Sequence, residues 1–368
     1  MTNIVKLDFI YFDAGGGHRA AATALKTVIE EQNRPWDIRL VNLQELLHSL
    51  DIFRKITGLR LEDIYNLMLA KGWTLGSAQG LKFIRGVIQI FHDPIVRLLE
   101  KYWVETQPDL VISLVPNFNG VIYESLKGIP FVTILTDFAD YPPHFWIERQ
   151  EQYLVCGTAK AVEQARSLGH ADQRIFGTSG MILRPNFYKP ILADRAAERR
   201  RLGLDPDRPT GLVLFGGQGS KVMFEIAGAL RDTQLIFICG RNQALAAKLE
   251  ALERKAPRLV IGFTSEIPYY MYLSDFFIGK PGPGSISEAV AMHLPVIVER
   301  NAWTLPQERY NADWVLEKRA GVVLPNFRGI AEAVQQMLGS LDEYRANVSK
   351  IENRAVFEIP DILAALLT

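Results

Sequence analysis

A chain of 368 residues is too long for one ordinary core, so two domains are expected. Its 48% hydrophobic and 22% charged residues fit a soluble globular protein, and 41 basic residues balance 41 acidic ones, which leaves no global field to draw nucleic acid. The opening "MTNIVKLDFI" has no signal-peptide pattern, and no run approaches the ~20 apolar residues needed to span a bilayer.

Apolar, β-branched runs of strand length alternate with longer helical patterns along the whole chain. The first half offers "VKLDFIYFD", "DIRLVNL", "DLVISLVP", "PFVTILTD", "QYLVCG" and "RIFGTS". Between the second and third lies a long insertion, about residues 45–105, in which Leu, Ile, Phe, Met and Trp are interleaved with Arg54, Lys55, Arg60, Lys71, Lys82 and Arg85. A proline-bearing stretch with a charged helix, "GMILRPNFYKPILADRAAERRRLGLDPDRPTG", separates the halves. The second half offers "GLVLFGG", "QLIFICG", "RLVIGF", "DFFIGK", "LPVIVE" and "GVVLP". Continuous rather than alternating hydrophobicity predicts parallel strands covered on both faces, hence two doubly wound α/β domains. The expected boundaries are 1–184, 185–345 and a C-terminal helix within 346–368 that returns to the first domain. Cys156 and Cys239 sit in strand-like runs and read as buried, reduced thiols in a cytosolic setting.

Ligands of doubly wound domains bind at the carboxyl ends of the strands, in the expected cleft between the two domains. Four loops there carry chemistry. In "DAGGGHRA", residues 13–20, the glycines let a ligand approach the mouth of the first helix, and His18 suits a general base on a hydroxyl, kept neutral in part by the positive helix end, or a plain capping or packing role. The spacing is neither the dinucleotide fingerprint nor a P-loop. In "LFGGQGS", Gly217 and Gln218 follow the first strand of the second domain. In "GKPGPGSISEA", Ser285 and the helix terminus suit a pyrophosphate, while Glu288, expected at about N3 or N4, suits a ribose diol or a capping box. In "PQERYN", Gln307, Glu308 and Asn311 suit sugar hydroxyls or a plain polar helix start.

These motifs, with "PFVTILTDFADYPPHFW" and "GMILRPNFY" between them, resemble the GT-B glycosyltransferases of family 28, closest in the branch of monogalactosyldiacylglycerol synthases and diacylglycerol glucosyltransferases. The resemblance implies two Rossmann-like domains facing across a cleft, an N-terminal acceptor domain and a C-terminal UDP-sugar domain. It implies inverting transfer of a hexose from UDP-galactose or UDP-glucose to a lipid hydroxyl, most of all that of diacylglycerol. No metal and no cofactor is implied, the UDP-sugar being a substrate; "DFAD" sets Asp137 and Asp140 three apart and is not a D-x-D motif. By resemblance, His18 or Asp137 is the base. Gly16, Gly17, Gly217, Gln218, Phe263, Thr264, Gly284, Ser285, Glu288, Gln307 and Glu308 meet the donor, with Phe263 and Thr264 beside the uracil and Gly284 and Ser285 by the diphosphate. The amphipathic insertion, with Trp73, Leu75, Lys82 and Arg85, would meet an anionic membrane surface and the lipid. The expected location is cytoplasmic, on the inner face of a membrane. Departures from the branch fall at Ala14, Val115 and Pro306 and bear on sugar and acceptor choice. A glycosyltransferase with another acceptor, an isomerase like the UDP-N-acetylglucosamine 2-epimerases and a non-catalytic binding protein are the competing readings.

Overall fold

Every one of the twelve apolar runs forms a strand in the computed structural model, which describes residues 4–13, 17–48, 86, 88–142, 144–148, 151–302 and 304–367. The chain divides into two compact units. One comprises Met1–Pro185, Leu305–Gln307 and Asn353–Thr368; the other comprises Asn186–Thr304 and Glu308–Glu352.

The first unit contains β1 (Val5–Tyr11), α1 (Gly17–Glu31), β2 (Trp36–Asn42), α2 (Leu43–His48), α3 (His92–Thr106), β3 (Leu110–Ser113), α4 (Asn119–Ser125), β4 (Phe131–Ile134), β5 (Tyr153–Cys156), α5 (Ala159–Ser167) and β6 (Ile175–Gly177). Its sheet has the order β2-β1-β3-β4-β5-β6 and is parallel throughout. Parallel strands must be covered on both faces, which is why β3 and β4 are buried at every position. Helix α1 lays Ala21, Ala22, Ala24, Leu25, Val28 and Ile29 inward. Full burial of side chains such as Leu25 and Ile29 stabilises by about 1.5–3 kcal/mol each. Of the insertion about residues 45–105, Trp73, Leu75, Lys82 and Arg85 lie outside the described residues, as does Gly16 of the opening loop.

The second unit contains α6 (Arg195–Arg201), β7 (Thr210–Leu214), α7 (Val222–Ala229), β8 (Gln234–Ile238), α8 (Gln243–Ala251), β9 (Arg258–Ile261), α9 (Ile267–Tyr272), β10 (Phe276–Gly279), α10 (Pro283–Ala291), β11 (Val296–Glu299), α11 (Arg309–Glu317), β12 (Gly321–Leu324), α12 (Ile330–Gly339) and α13 (Leu341–Val348). Its parallel sheet has the order β12-β11-β10-β7-β8-β9. One core cluster joins Val213, Phe237 and Ile278 of the sheet to Met223 and Ile226 of α7, Leu249 of α8 and Met337 of α12.

The last helix, α14 (Ala355–Leu366), belongs to the first unit and packs on α1. Arg34 donates to the Pro360 carbonyl at 3.1 Å and pairs with Asp361. Ser179 fixes the helix start: its amide donates to Glu358 at 2.8 Å and its hydroxyl accepts from the Arg354 amide at 2.7 Å. Both cysteines are buried, and burial pushes the Cys156 thiol up to about 12 and the Cys239 thiol up to about 11. Among the described residues, no helix is long and apolar enough to cross a membrane.

Candidate functional site

Each sheet reverses its winding direction once, between β1 and β3 in the first unit and between β7 and β10 in the second. At such switch points adjacent loops part and leave a crevice at the carboxyl ends of the strands. The described residues singled out in the sequence sit on loops at the carboxyl ends of the strands, at these switch points and on neighbouring strands.

In the first unit, His18 is the second residue of α1, immediately after the β1 loop. Its Nδ1 lies 3.2 Å from Thr136 Oγ1, which follows β4. Burial lowers the imidazole to about 4, with the Leu114 backbone beyond β3 opposing the shift weakly. Desolvation, rather than the positive helix end, therefore keeps this ring neutral. Asp13 and Arg19 flank it as an ion pair at 3.1 Å, and the Asp13 amide donates to Gln44 Oε1 at 3.1 Å. Gly17 has open space where a Cβ would stand.

Asp137 also lies beyond β4, and its Oδ2 accepts the indole N–H of Trp146 at 2.8 Å. The same indole stands against His18, ring centroids 5.9 Å apart and tilted by 45°. Trp146 thus joins the two candidate bases. It is itself buried, and its carbonyl accepts from Asn119 Nδ2 at 3.2 Å.

In the second unit, the loop after β7 turns through Gly216 (φ 75°) and Gly219 (φ 61°), leaving Gly217 and Gln218 exposed. The loop after β8 presses against it. The Arg241 amide donates to Gly217 O at 2.9 Å, and a Cβ at Gly240 would come 2.2 Å from that oxygen. Close approach of backbone to backbone therefore demands glycine at 240, where φ is 59°. Beyond β9, Phe263 is 67% exposed, with the Arg241 guanidinium 5.3 Å from its ring centroid. Thr264 Oγ1 accepts the Glu266 amide at 3.0 Å in the turn before α9.

After β10 the chain enters α10 with Gly282 as N-cap and Pro283 as first helical residue. Proline pre-sets the helical φ, so the helix begins earlier than the sequence reading places it. Gly284 and Ser285 occupy the first turn, whereas Glu288 is the sixth helical residue rather than N3 or N4. A capping box needs a carboxyl at N3 and a hydroxyl at the cap, and neither stands here. Gly284 is exposed; Ser285 and Glu288 are half-buried.

The loop after β11 leads into α11. Glu308 is buried and accepts from Lys280 Nζ at 3.1 Å. Asn311, fully buried, donates to the Pro281 carbonyl at 2.7 Å and so ties α11 to the loop before α10. Gln307 groups with the first unit. Gln307 Oε1 and Asn311 Oδ1 are buried with no hydrogen-bond partner among the described residues.

Sequence reasoning did not single out Trp146, Thr136, Lys280 or Arg241. Trp146 and Thr136 stand inside a motif that was quoted for its resemblance. Lys280 directly follows β10 and stands two residues before Gly282, the N-cap of α10. Arg241 carried no signal beyond a strand end.

Residues 212–359 match the model of the "Glycosyltransferase family 28 C-terminal domain". The chain is 28% identical to "Probable monogalactosyldiacylglycerol synthase 2, chloroplastic" of Oryza sativa subsp. indica, over 94% of this chain and 77% of that protein. It is 30% identical to "Monogalactosyldiacylglycerol synthase, chloroplastic" of Spinacia oleracea, over 89% of this chain and 65% of that protein. Among solved structures it is similar to MurG of Acinetobacter baumannii, with a TM-score of 0.64 at 13% identity, covering 98% of this chain and 99% of that one. The two parallel-sheet units are those of the GT-B fold. Fold, C-terminal domain and relatives that match most of this chain agree: residues 212–359 belong to the C-terminal domain of glycosyltransferase family 28, and the chain is a sugar-transferring enzyme.

Proposed function

We propose that the protein transfers a hexose from UDP-galactose or UDP-glucose to the free hydroxyl of diacylglycerol, inverting the anomeric carbon and using no metal. The observation that carries this reading is the similarity to monogalactosyldiacylglycerol synthases over most of the chain. The first unit takes the lipid and the second the UDP-sugar. In the productive tautomer, the His18 Nδ1–H donates a hydrogen bond to Thr136 Oγ1, and Nε2 faces the acceptor hydroxyl. The acceptor oxygen attacks C1 of the sugar, the bond from C1 to the β-phosphate oxygen breaks, His18 takes the hydroxyl proton and UDP leaves. A base held near 4 is weak, so it takes the proton late, as attack acidifies the hydroxyl.

The leaving diphosphate is held by the N–H groups of Gly284 and Ser285 at the α10 terminus, with Gly16, Gly17, Gly217 and Gln218 bringing further backbone close to the donor. Glu288 binds the ribose diol, and Phe263 and Thr264 border the uracil. Gln307 and Glu308 meet the sugar; the buried oxygens of Gln307 and Asn311 are acceptors suited to a ligand rich in hydroxyl donors. The enzyme works at the cytoplasmic face of an anionic membrane, reached through the insertion that holds Trp73, Leu75, Lys82 and Arg85.

Glu288→Ala should weaken UDP binding by about tenfold to a hundredfold, the loss expected for charged hydrogen bonds of about 1.5–3 kcal/mol, as read by calorimetry. NMR of the glycolipid formed from an α-linked donor should show the β anomer, in undiminished yield with EDTA present. An α product, or activity abolished by EDTA and restored by a divalent cation, would refute inversion or metal independence respectively.

A further inference from the structure

We infer that Asp140 is a positioning residue for the transfer: its carboxylate builds the loop that holds Trp146 between His18 and Asp137. The inference rests on the reading of His18 as the base. Asp140 is 4% exposed, so protein groups rather than bulk water must meet its carboxylate. Its Oδ1 accepts from the amides of Tyr141 at 2.9 Å, Phe145 at 2.8 Å and Trp146 at 3.2 Å, and its Oδ2 from the Ile147 amide at 3.0 Å. Three successive amides therefore converge on one carboxylate. The backbone of Trp146 cannot shift without stranding buried donors.

The carboxylate is anchored in turn. The Asp140 amide donates to Gln164 Oε1 at 2.9 Å, and its carbonyl accepts from Gln164 Nε2 at 2.8 Å, which fixes it to α5. Burial raises the Asp140 carboxyl, and the amides of Ile147, Phe145 and Trp146 together with His144 oppose that rise. The titratable neighbours are His144, with Nδ1 3.3 Å away, and the Cys156 thiol on β5. A neutral side chain would not satisfy four amides at once; Asn offers one oxygen where the carboxylate offers two.

The other end of the arrangement is the candidate chemistry. From this fixed backbone the Trp146 indole donates to Asp137 at 2.8 Å and its ring stands beside half-buried His18, centroids 5.9 Å apart. Asn119 and Gln152 hold the Trp146 carbonyl at 3.2 and 3.4 Å, and Ser113 at the end of β3 donates to Asn119 at 2.7 Å. Loss of the Asp140 charge should release the indole, admit water to the imidazole and let both candidate bases drift.

The test is Asp140→Asn in the full chain, with three readouts. Turnover should fall by about 10²-fold, as for a displacement of about 1 Å at a reacting group, with KM for the UDP-sugar within about twofold of wild type. UDP binding by calorimetry should be unchanged. The His18 ring, followed by NMR in protein carrying ¹³C-labelled histidine, should titrate about one unit or more above its wild-type value, since solvation restores the ordinary imidazole range. If that variant does not fold, Asn119→Ala loosens the Trp146 carbonyl and should move the His18 titration in the same direction. Undiminished turnover, or a fall in turnover with the His18 titration unmoved, would overturn the inference, because a merely structural role lowers the folded fraction without altering that ring. Should His18 prove not to be the base, His18→Gln would retain turnover, while the NMR titration would still report whether Asp140 positions Trp146.

Discussion

His18→Gln should lower turnover by about 10²–10⁴-fold, the usual contribution of a general base, while leaving UDP affinity within twofold of wild type. Glutamine keeps a polar group of similar reach beside Thr136 but cannot accept the hydroxyl proton and carry the charge. The pH dependence sharpens this result. The neutral imidazole is the active form, and burial lowers it to about 4, so kcat/KM should be flat from neutrality down to about pH 5 and fall as pH drops through about 4. An unburied histidine would place that limb near 6.5. Circular dichroism recorded over the same range separates protonation of His18 from acid unfolding. Undiminished turnover in His18→Gln would transfer the base assignment to Asp137.

Asp275→Ala should destabilise the second unit by about 3–5 kcal/mol, the cost of breaking a buried ion pair by removing one partner. Asp275 lies at the entry to β10, the opposite end of the sheet from the loops that carry the candidate donor residues. Its Oδ1 accepts from Arg195 at 2.9 Å and from Arg345, and its Oδ2 from Arg199 at 2.6 Å and from the Thr210 amide at 2.7 Å. One carboxylate thus joins α6, β7 and α13, and Arg199 is itself 4% exposed. Burial alone would raise this carboxyl, but Arg195 and Arg199 hold it below the ordinary range. A carboxyl depressed in the folded state stabilises fully above its unfolded value of about 3.9, and that stability is lost as pH falls through the folded value. Urea unfolding should therefore show a large loss at pH 7 in Asp275→Ala and a smaller difference from wild type in strong acid. UDP affinity of the folded fraction should be kept, since the donor loops lie at the other end. An unchanged urea midpoint at pH 7 would show that the arginines rearrange at little cost.

The fold was legible because strands such as β3, β4 and β10 are short apolar runs buried at every position, and parallel strands need that pattern. His18 was legible as a candidate because it stands at a glycine-rich helix mouth, and the structure sets it at the start of α1 beside Thr136. The start of α10 was misplaced because Pro283 serves as N1, which moved Glu288 to the sixth helical position. Other features were hidden by sequence distance. Lys280 and Glu308 meet across 28 residues, and Asp275 draws arginines from positions 195, 199 and 345. No periodicity marks such pairs. Asp140 was hidden for another reason: its partners are backbone amides, which every residue carries, so its role depends on the loop's path rather than on any residue type nearby.

Lipid-dependent sugar transfer is read from UDP release. The purified chain is incubated with UDP-galactose, UDP-glucose or UDP-N-acetylglucosamine, each with and without diacylglycerol in anionic micelles. Release that depends on diacylglycerol, with UDP-galactose or UDP-glucose, is the result expected of a lipid-dependent sugar transfer. Calorimetric binding of UDP without lipid-dependent release from any of the three donors would contradict it.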